Sequence, residues 1–203
     1  MNRGAVQRGF IWLLLWLLPI LATAQPVAPD VLVRATVTDV LQVIRQSSDA
    51  RVVQETVERK VQPHFDFRAM TQLAMGKFWR DASPAQQARL ETAFRELLVR
   101  TYTAALSDAS RVERTVEVRP LSLKPGETET LVRTQVKEPG RPPLAIDYRM
   151  TVSAAGWKVT YIVAEGASLV ISYRSSFGTE ISRSGIDGLI RLLEDKNRQA
   201  AKA

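Results

Sequence analysis

Few residues in this chain are of a type and spacing that could do chemistry. The single histidine, His64, lies between Pro63 and Phe65. A general base needs a nucleophile within hydrogen-bond reach and an acid to orient it, and the sequence around His64 supplies neither. A structural or surface role is therefore expected for it. Gly166-Ala167-Ser168-Leu169-Val170 matches half of a nucleophile elbow, but the closing glycine is missing and no histidine follows to complete a triad. Ser168 reads instead as a helix N-cap. Asp147 and Glu165 are the carboxylates nearest to sheet faces and ends. Two buried acids with separated pKa values can move a proton. On an outer strand face, by contrast, Asp147 would pair with Arg149 or Arg133. The chain contains no cysteine, which removes thiol catalysis and thiolate metal sites. There is neither a metal-ligand spacing nor a glycine-rich phosphate loop. The expectation is a protein without catalytic residues, metal or cofactor.

The ends of the chain say where it works. Arg3 and Arg8 precede an apolar run from Phe10 to Leu21, and Ala22-Thr23-Ala24 supplies small residues for cleavage after about Ala24. The run is much shorter than the roughly 20 residues that span a bilayer. Residues 1–24 therefore read as an export signal and the mature chain as periplasmic. Residues 25–30 form a flexible lead, 31–198 a single domain, and 199–203 a disordered tail. The net charge is +7. An exported chain meets no nucleic acid, so this excess suits anionic headgroups or acidic protein faces, or serves solubility alone.

Apolar spacing divides the domain into three parts. Val33, Val37, Val40, Leu41 and Ile44 share one helical face, and further helices are expected over Arg51–Val61 and Phe65–Phe78. Ser83-Pro84 opens the longest helix, with Leu90, Phe94, Leu97, Leu98, Thr101, Tyr102, Ala105 and Leu106 on its buried side. After Asp108 the period falls to two. Four sets follow, around Val116, Val132, Tyr148 and Val159, separated by Pro125-Gly126, Pro139-Gly140 and Ala155-Gly156. Beyond Glu165-Gly166 helical spacing returns in Leu169, Tyr173, Phe177 and Ile181. Gly185 then ends this helix and Ile186, Leu189, Ile190 and Leu193 continue in a second. The result is an α+β domain: a four-stranded curved antiparallel sheet with helices packed on its concave side.

The tail carries a resemblance. Trp157-Lys158-Val159, Ala164-Glu165-Gly166, Ser168-Leu169-Val170, Tyr173-Arg174-Ser175-Ser176-Phe177 and Gly185-Ile186-Asp187-Gly188-Leu189 form its first block. The second comprises Phe65-Asp66-Phe67, Gly76-Lys77-Phe78-Trp79, Ser83-Pro84 with Gln86 or Gln87, and Phe94-Arg95-Glu96-Leu97-Leu98 through Thr101-Tyr102. Gly140-Arg141-Pro142-Pro143 fits the middle hairpin. Together they resemble the MlaC family of periplasmic phospholipid-binding proteins, the toluene-tolerance family. One departure stands inside it: a Tyr-Asp pair follows the Trp-Lys-Val start in the family, and Thr160-Tyr161 stands there in this chain.

The resemblance implies a carrier of phospholipid cargo. Its partners would be an outer-membrane lipoprotein–porin complex and an inner-membrane ABC transporter with a substrate-binding ring, and its task the upkeep of outer-membrane lipid asymmetry. A lipid cavity is then expected between sheet and helices. Its wall would be Val118, Val132, Ile146, Tyr148, Met150, Trp157, Val159 and Tyr161 from the strands, with Phe94, Leu98 and Tyr102 from the long helix. The same residues would equally form a sealed core. Two other classes stay open: an enzyme acting on a lipid-like substrate through Asp147 or Glu165, and a non-enzymatic adaptor that binds only proteins. Arg174 serves a headgroup, a partner or solvent.

Overall fold

The computed structural model describes residues 27–47, 49–108 and 113–200. The export segment with its cleavage point, the first residues of the lead and the last three of the tail lie outside the described residues, as do the side chains of Ala105 and Leu106. Helix α1 spans Pro29–Gln46, α2 Ala50–Thr56, α3 Phe67–Met75 and α4 Pro84–Asp108. Strands β1 Thr115–Val118, β2 Glu129–Lys137, β3 Leu144–Ser153, β4 Gly156–Ala164 and β5 Ala167–Ser168 follow, and α5 covers Tyr173–Ala200. No helix among the described residues is long and apolar enough to cross a membrane.

Local sequence accounts for most boundaries. Pro29 takes the first turn of α1, inside the segment expected to be a lead, because a proline there has no amide to satisfy. Ser83 and Gln86 make a reciprocal capping box at α4: Gln86 N donates to Ser83 Oγ at 3.2 Å and Ser83 N to Gln86 Oε1 at 3.0 Å. Gln86 Nε2 also reaches Asp187 Oδ1 at 3.1 Å, so the cap of α4 is tied to α5. The helix expected over Arg51–Val61 is α2 plus one π-helical turn, Val57–Val61; a 3-10 turn, Gln62–His64, then leads to Phe65. Helix α5 breaks at Gly185, whose φ of 72° is left-handed, giving the two helices expected there. It runs through Ala200, two residues past the expected end of the domain.

The sheet is a meander in the order β1-β2-β3-β4-β5, antiparallel throughout. It has five strands where four were expected. Glu165 and Gly166 both have positive φ, 49° and 77°, which makes a two-residue hairpin turn and folds Ala167–Ser168 back onto β4. The strand therefore does not stop at Glu165-Gly166 to enter a helix. Leu169 lies in the turn that follows, outside α5, and the helical stripe begins at Tyr173.

A β-bulge interrupts the alternation in β4. Met150 pairs with Val159 but Arg149 with Tyr161, which leaves Thr160 as the extra residue. The inward set on β4 therefore changes parity, from Trp157 and Val159 to Ile162. Tyr161, expected on the cavity wall, shares the outer face with Arg149, while Ile162 packs with the sheet cluster. Residue spacing at period two carries no sign of such a shift.

Free strand edges are covered. Arg34 Nη2 of α1 donates to Val118 O at 2.7 Å, and Leu121 N donates to Asp30 Oδ2 at 3.3 Å, which lays α1 along β1. On the other side Phe65 makes a parallel bridge to Val159, and Asp66 N donates to Val159 O at 2.9 Å.

Candidate functional site

Most apolar burial falls into two layers, beside a smaller third cluster in which Val40 and Ile44 of α1 meet Val53 of α2. The sheet layer buries Val118, Val132, Met150, Trp157 and Val159 together with Val33 of α1. The helix layer centres on Met70, Leu90, Phe94, Leu98, Phe177 and Leu189. Among the described residues, Phe65 alone packs against both. The two layers meet along a seam at Phe65.

The expected wall residues fall on both sides of this seam. Val118, Val132, Met150, Trp157 and Val159 are buried in the sheet layer, and Tyr148 packs against them. Ile146 is half-buried and pairs with Thr134 and Ala164 on the same face. Phe94 and Leu98 are buried in the helix layer and Tyr102 packs beside them. Helix α4 rests on α2, α3 and α5. Phe94 meets the rings of Tyr173 at 5.1 Å and Phe177 at 5.2 Å, both edge-on. Tyr161 lies on neither side, for the reason given by the bulge. Two residues that pack in these layers escape the sequence reading. Ile162 is hidden by the bulge, and Phe65 sits in an irregular segment whose docking is set by tertiary contacts.

Electrostatics in the layers is mild. Burial pushes the Tyr148 phenol up to about 12, opposed in part by the Thr134 hydroxyl. Burial likewise raises Tyr102 and Tyr173, two half-buried phenols; Tyr173 adds to the rise at Tyr102, while Thr101 opposes the one at Tyr173. Such groups stay neutral and are suited to lining an apolar space.

The residues singled out for chemistry are dispersed and occupied. Burial, and then the charge of Lys158, hold His64 below its ordinary value; Lys158 Nζ donates to the neighbouring Pro63 carbonyl. Ser168 belongs to β5, not to a helix start, and its Oγ accepts from Ile171 N at 3.0 Å to cap a turn. Exposed Glu165 accepts from Ala145 N at 2.6 Å through Oε1, pinning the hairpin. Asp147 sits opposite Arg133 in register, but neither Arg133 nor Arg149 pairs with it; Arg149 lies 3.6 Å from Glu129 instead. Cross-strand register sets Cβ spacing, and the longer arginine side chain reaches the diagonal carboxylate. Asp147 and Glu165 do not form a buried pair. No group of three His, Cys, Asp or Glu among the described residues could hold a metal. Arg174, whose role the sequence left open, donates from Nε at 3.0 Å and Nη2 at 2.6 Å to Leu73 O, closing the end of α3.

A hollow of about 470 Å³ opens beside Phe65. Phe65 and Phe67 line it, their rings stacked with centroids 5.8 Å apart. Its rim is charged, with Arg95, Lys158 and Glu58 among the residues. It is an open, charged hollow rather than an apolar chamber.

Comparison with known proteins gives this arrangement a relative. The solved structure of the phospholipid-binding protein from Ralstonia solanacearum, in complex with a phospholipid, is similar at 35% identity and a TM-score of 0.75. The match covers 88% of this chain and 99% of that one. The family model described as MlaC protein matches residues 34–195. By the extent of that match, the chain belongs to the MlaC family.

Proposed function

We propose that this chain is a periplasmic phospholipid carrier. It takes lipid between an outer-membrane lipoprotein–porin complex and an inner-membrane ABC transporter with its substrate-binding ring, and so maintains outer-membrane lipid asymmetry. The observation that carries this reading is the phospholipid held by the Ralstonia solanacearum relative, which matches 88% of this chain. The two large apolar layers, which both pack on Phe65, are where tails would lie.

Acyl tails enter the seam and the headgroup stays at the surface. Burial yields roughly 0.8 kcal/mol per methylene, so a tail of about sixteen carbons is held by on the order of 12 kcal/mol. Release into water is then very slow, and cargo must pass while carrier and partner are docked. The full chain carries +7, of which Arg3 and Arg8 leave with the signal, and the remaining excess of about 7 − 2 = +5 steers docking to acidic partner faces at rates that fall with salt. The scattered, occupied polar side chains favour a carrier over an enzyme: they hold elements together and converge on no reacting centre.

Mass spectrometry of an organic extract of protein purified from a bacterial host tests the proposal. Phospholipid in roughly stoichiometric amount is expected. Protein that is folded yet repeatedly lipid-free, and that takes up no lipid from vesicles, sinks it.

A further inference from the structure

We infer that the hollow beside Phe65 is a headgroup seat selective for a zwitterionic phosphate–ammonium headgroup over an anionic one. The inference rests on the carrier reading and adds the ligand class that the hollow selects.

The position comes from Phe65. It is the residue shared by the two apolar layers, and it forms the inner wall of the hollow with Phe67. Tails lying in the seam therefore place their glycerol end here. The rim comes from elements on both sides: Glu91 and Arg95 from α4, Arg68 from α3, Glu58 from the π-helical turn, and Lys158 from β4.

The charges decide the class. Arg68, Arg95 and Lys158 face Glu58, Asp66 and Glu91, so the hollow is balanced three against three in a chain whose net charge is +7. A seat for an anionic headgroup would gather the surplus cations; this one sets as many carboxylates beside them. Several of the six are already committed. Lys158 donates to Pro63 O. Asp66 caps α3 by accepting from Ala69 N at 2.8 Å. Arg68 lies over the Trp79 ring at 5.2 Å and donates to Gln87 Oε1 at 3.1 Å. Arg95 has no ion pair among the described residues. Glu58 keeps one oxygen open after accepting from Gln54 Nε2 at 2.9 Å, and Glu91 is held by Arg68 only at 3.9 Å. The least occupied of the six are one guanidinium, which suits a phosphate, and two carboxylates, which suit an ammonium, the two charges of one zwitterionic headgroup.

The test is competitive uptake. Delipidated full chain is incubated with vesicles of equal phosphatidylethanolamine and phosphatidylglycerol, repurified and extracted, and the two lipids are counted by mass spectrometry. The expected result is a preference of about fivefold for phosphatidylethanolamine, the scale of one exposed ion pair. The Glu58→Gln, Glu91→Gln double variant is expected to erase or reverse the preference, and Arg95→Ala to lower uptake of both lipids. Unchanged circular dichroism shows that the variants fold. Uptake in the vesicle ratio, unmoved by the double variant, overturns the headgroup seat and leaves the carrier reading standing. Failure of the unaltered protein to take up either lipid overturns both.

Discussion

Arg174 lies across Gly76, its Nε only 3.3 Å from where a β-carbon on that glycine would be. From this position the guanidinium makes its two hydrogen bonds to Leu73 O, so the start of α5 is bolted to the end of α3. Gly76 also has a φ of 56°, a conformation that side chains resist. Gly76→Ala combines backbone strain with a collision and should cost about 1–3 kcal/mol. Arg174→Ala should cost about 1–2 kcal/mol through the lost charge-assisted bonds. The midpoint of urea unfolding at unchanged slope measures both. Because the two residues form one contact, the double variant should lose less than the two single losses combined.

That contact also shows how far the sequence was legible. Arg174, Gly76, Gln86 and Asp187 all stand in motifs of the family resemblance, and their types could be read as functional or structural. The structure makes them fasteners between helices. Helices and strands were legible because apolar spacing and caps are local. Ile162 and Tyr161 were exchanged because a bulge is chosen by pairing across strands, which spacing along one strand does not encode. Phe65 was missed as the residue between the layers for a similar reason: its partners are Val159 and two clusters that lie far away along the chain. The fifth strand follows from Glu165 taking a left-handed conformation, which a glutamate rarely adopts unless its surroundings hold it there.

Tyr148 predicts alkaline sensitivity. Its phenol is raised by burial to about 12 from an ordinary value of 10. Between those values the unfolded chain ionises and the folded one does not, so unfolding is favoured as pH rises. The stabilisation is complete below pH 10 and is lost progressively up to about pH 12, on the order of 2–3 kcal/mol. Tyr148→Phe should flatten this part of the stability curve when it is followed by denaturant midpoints at pH 9 to 12. A curve of unchanged slope would remove Tyr148 as the cause.

His64 predicts the opposite dependence at mildly acid pH. Burial first, and Lys158 second, hold its folded pKa below the ordinary 6.5. Below pH 6.5 the unfolded chain takes up a proton that the folded chain refuses, so stability falls as pH drops through that range and is recovered above it. His64→Gln should remove the step. Lys158→Gln should shrink it by relieving the smaller of the two causes. Thermal melting from pH 5 to 8 separates the two variants, and a step that persists in His64→Gln assigns it to other groups.

Phe65 holds the sheet against the helices, and its removal should be felt at the seam before anywhere else. Phe65→Ala deletes the ring that packs on both layers and stacks on Phe67, while the backbone bridge to Val159 is kept. For a half-buried ring the loss should be about 1–3 kcal/mol, less than in a sealed core because solvent already reaches it. A carrier whose layers part more easily should also bind an apolar dye such as anilinonaphthalene sulfonate more strongly at native pH. It should exchange lipid between vesicles faster than the unaltered chain. Phe65→Leu, which refills most of the volume, should restore stability and dye exclusion together. Lost stability without dye binding or faster exchange would mean that Phe65 only fills space and does not hold the seam.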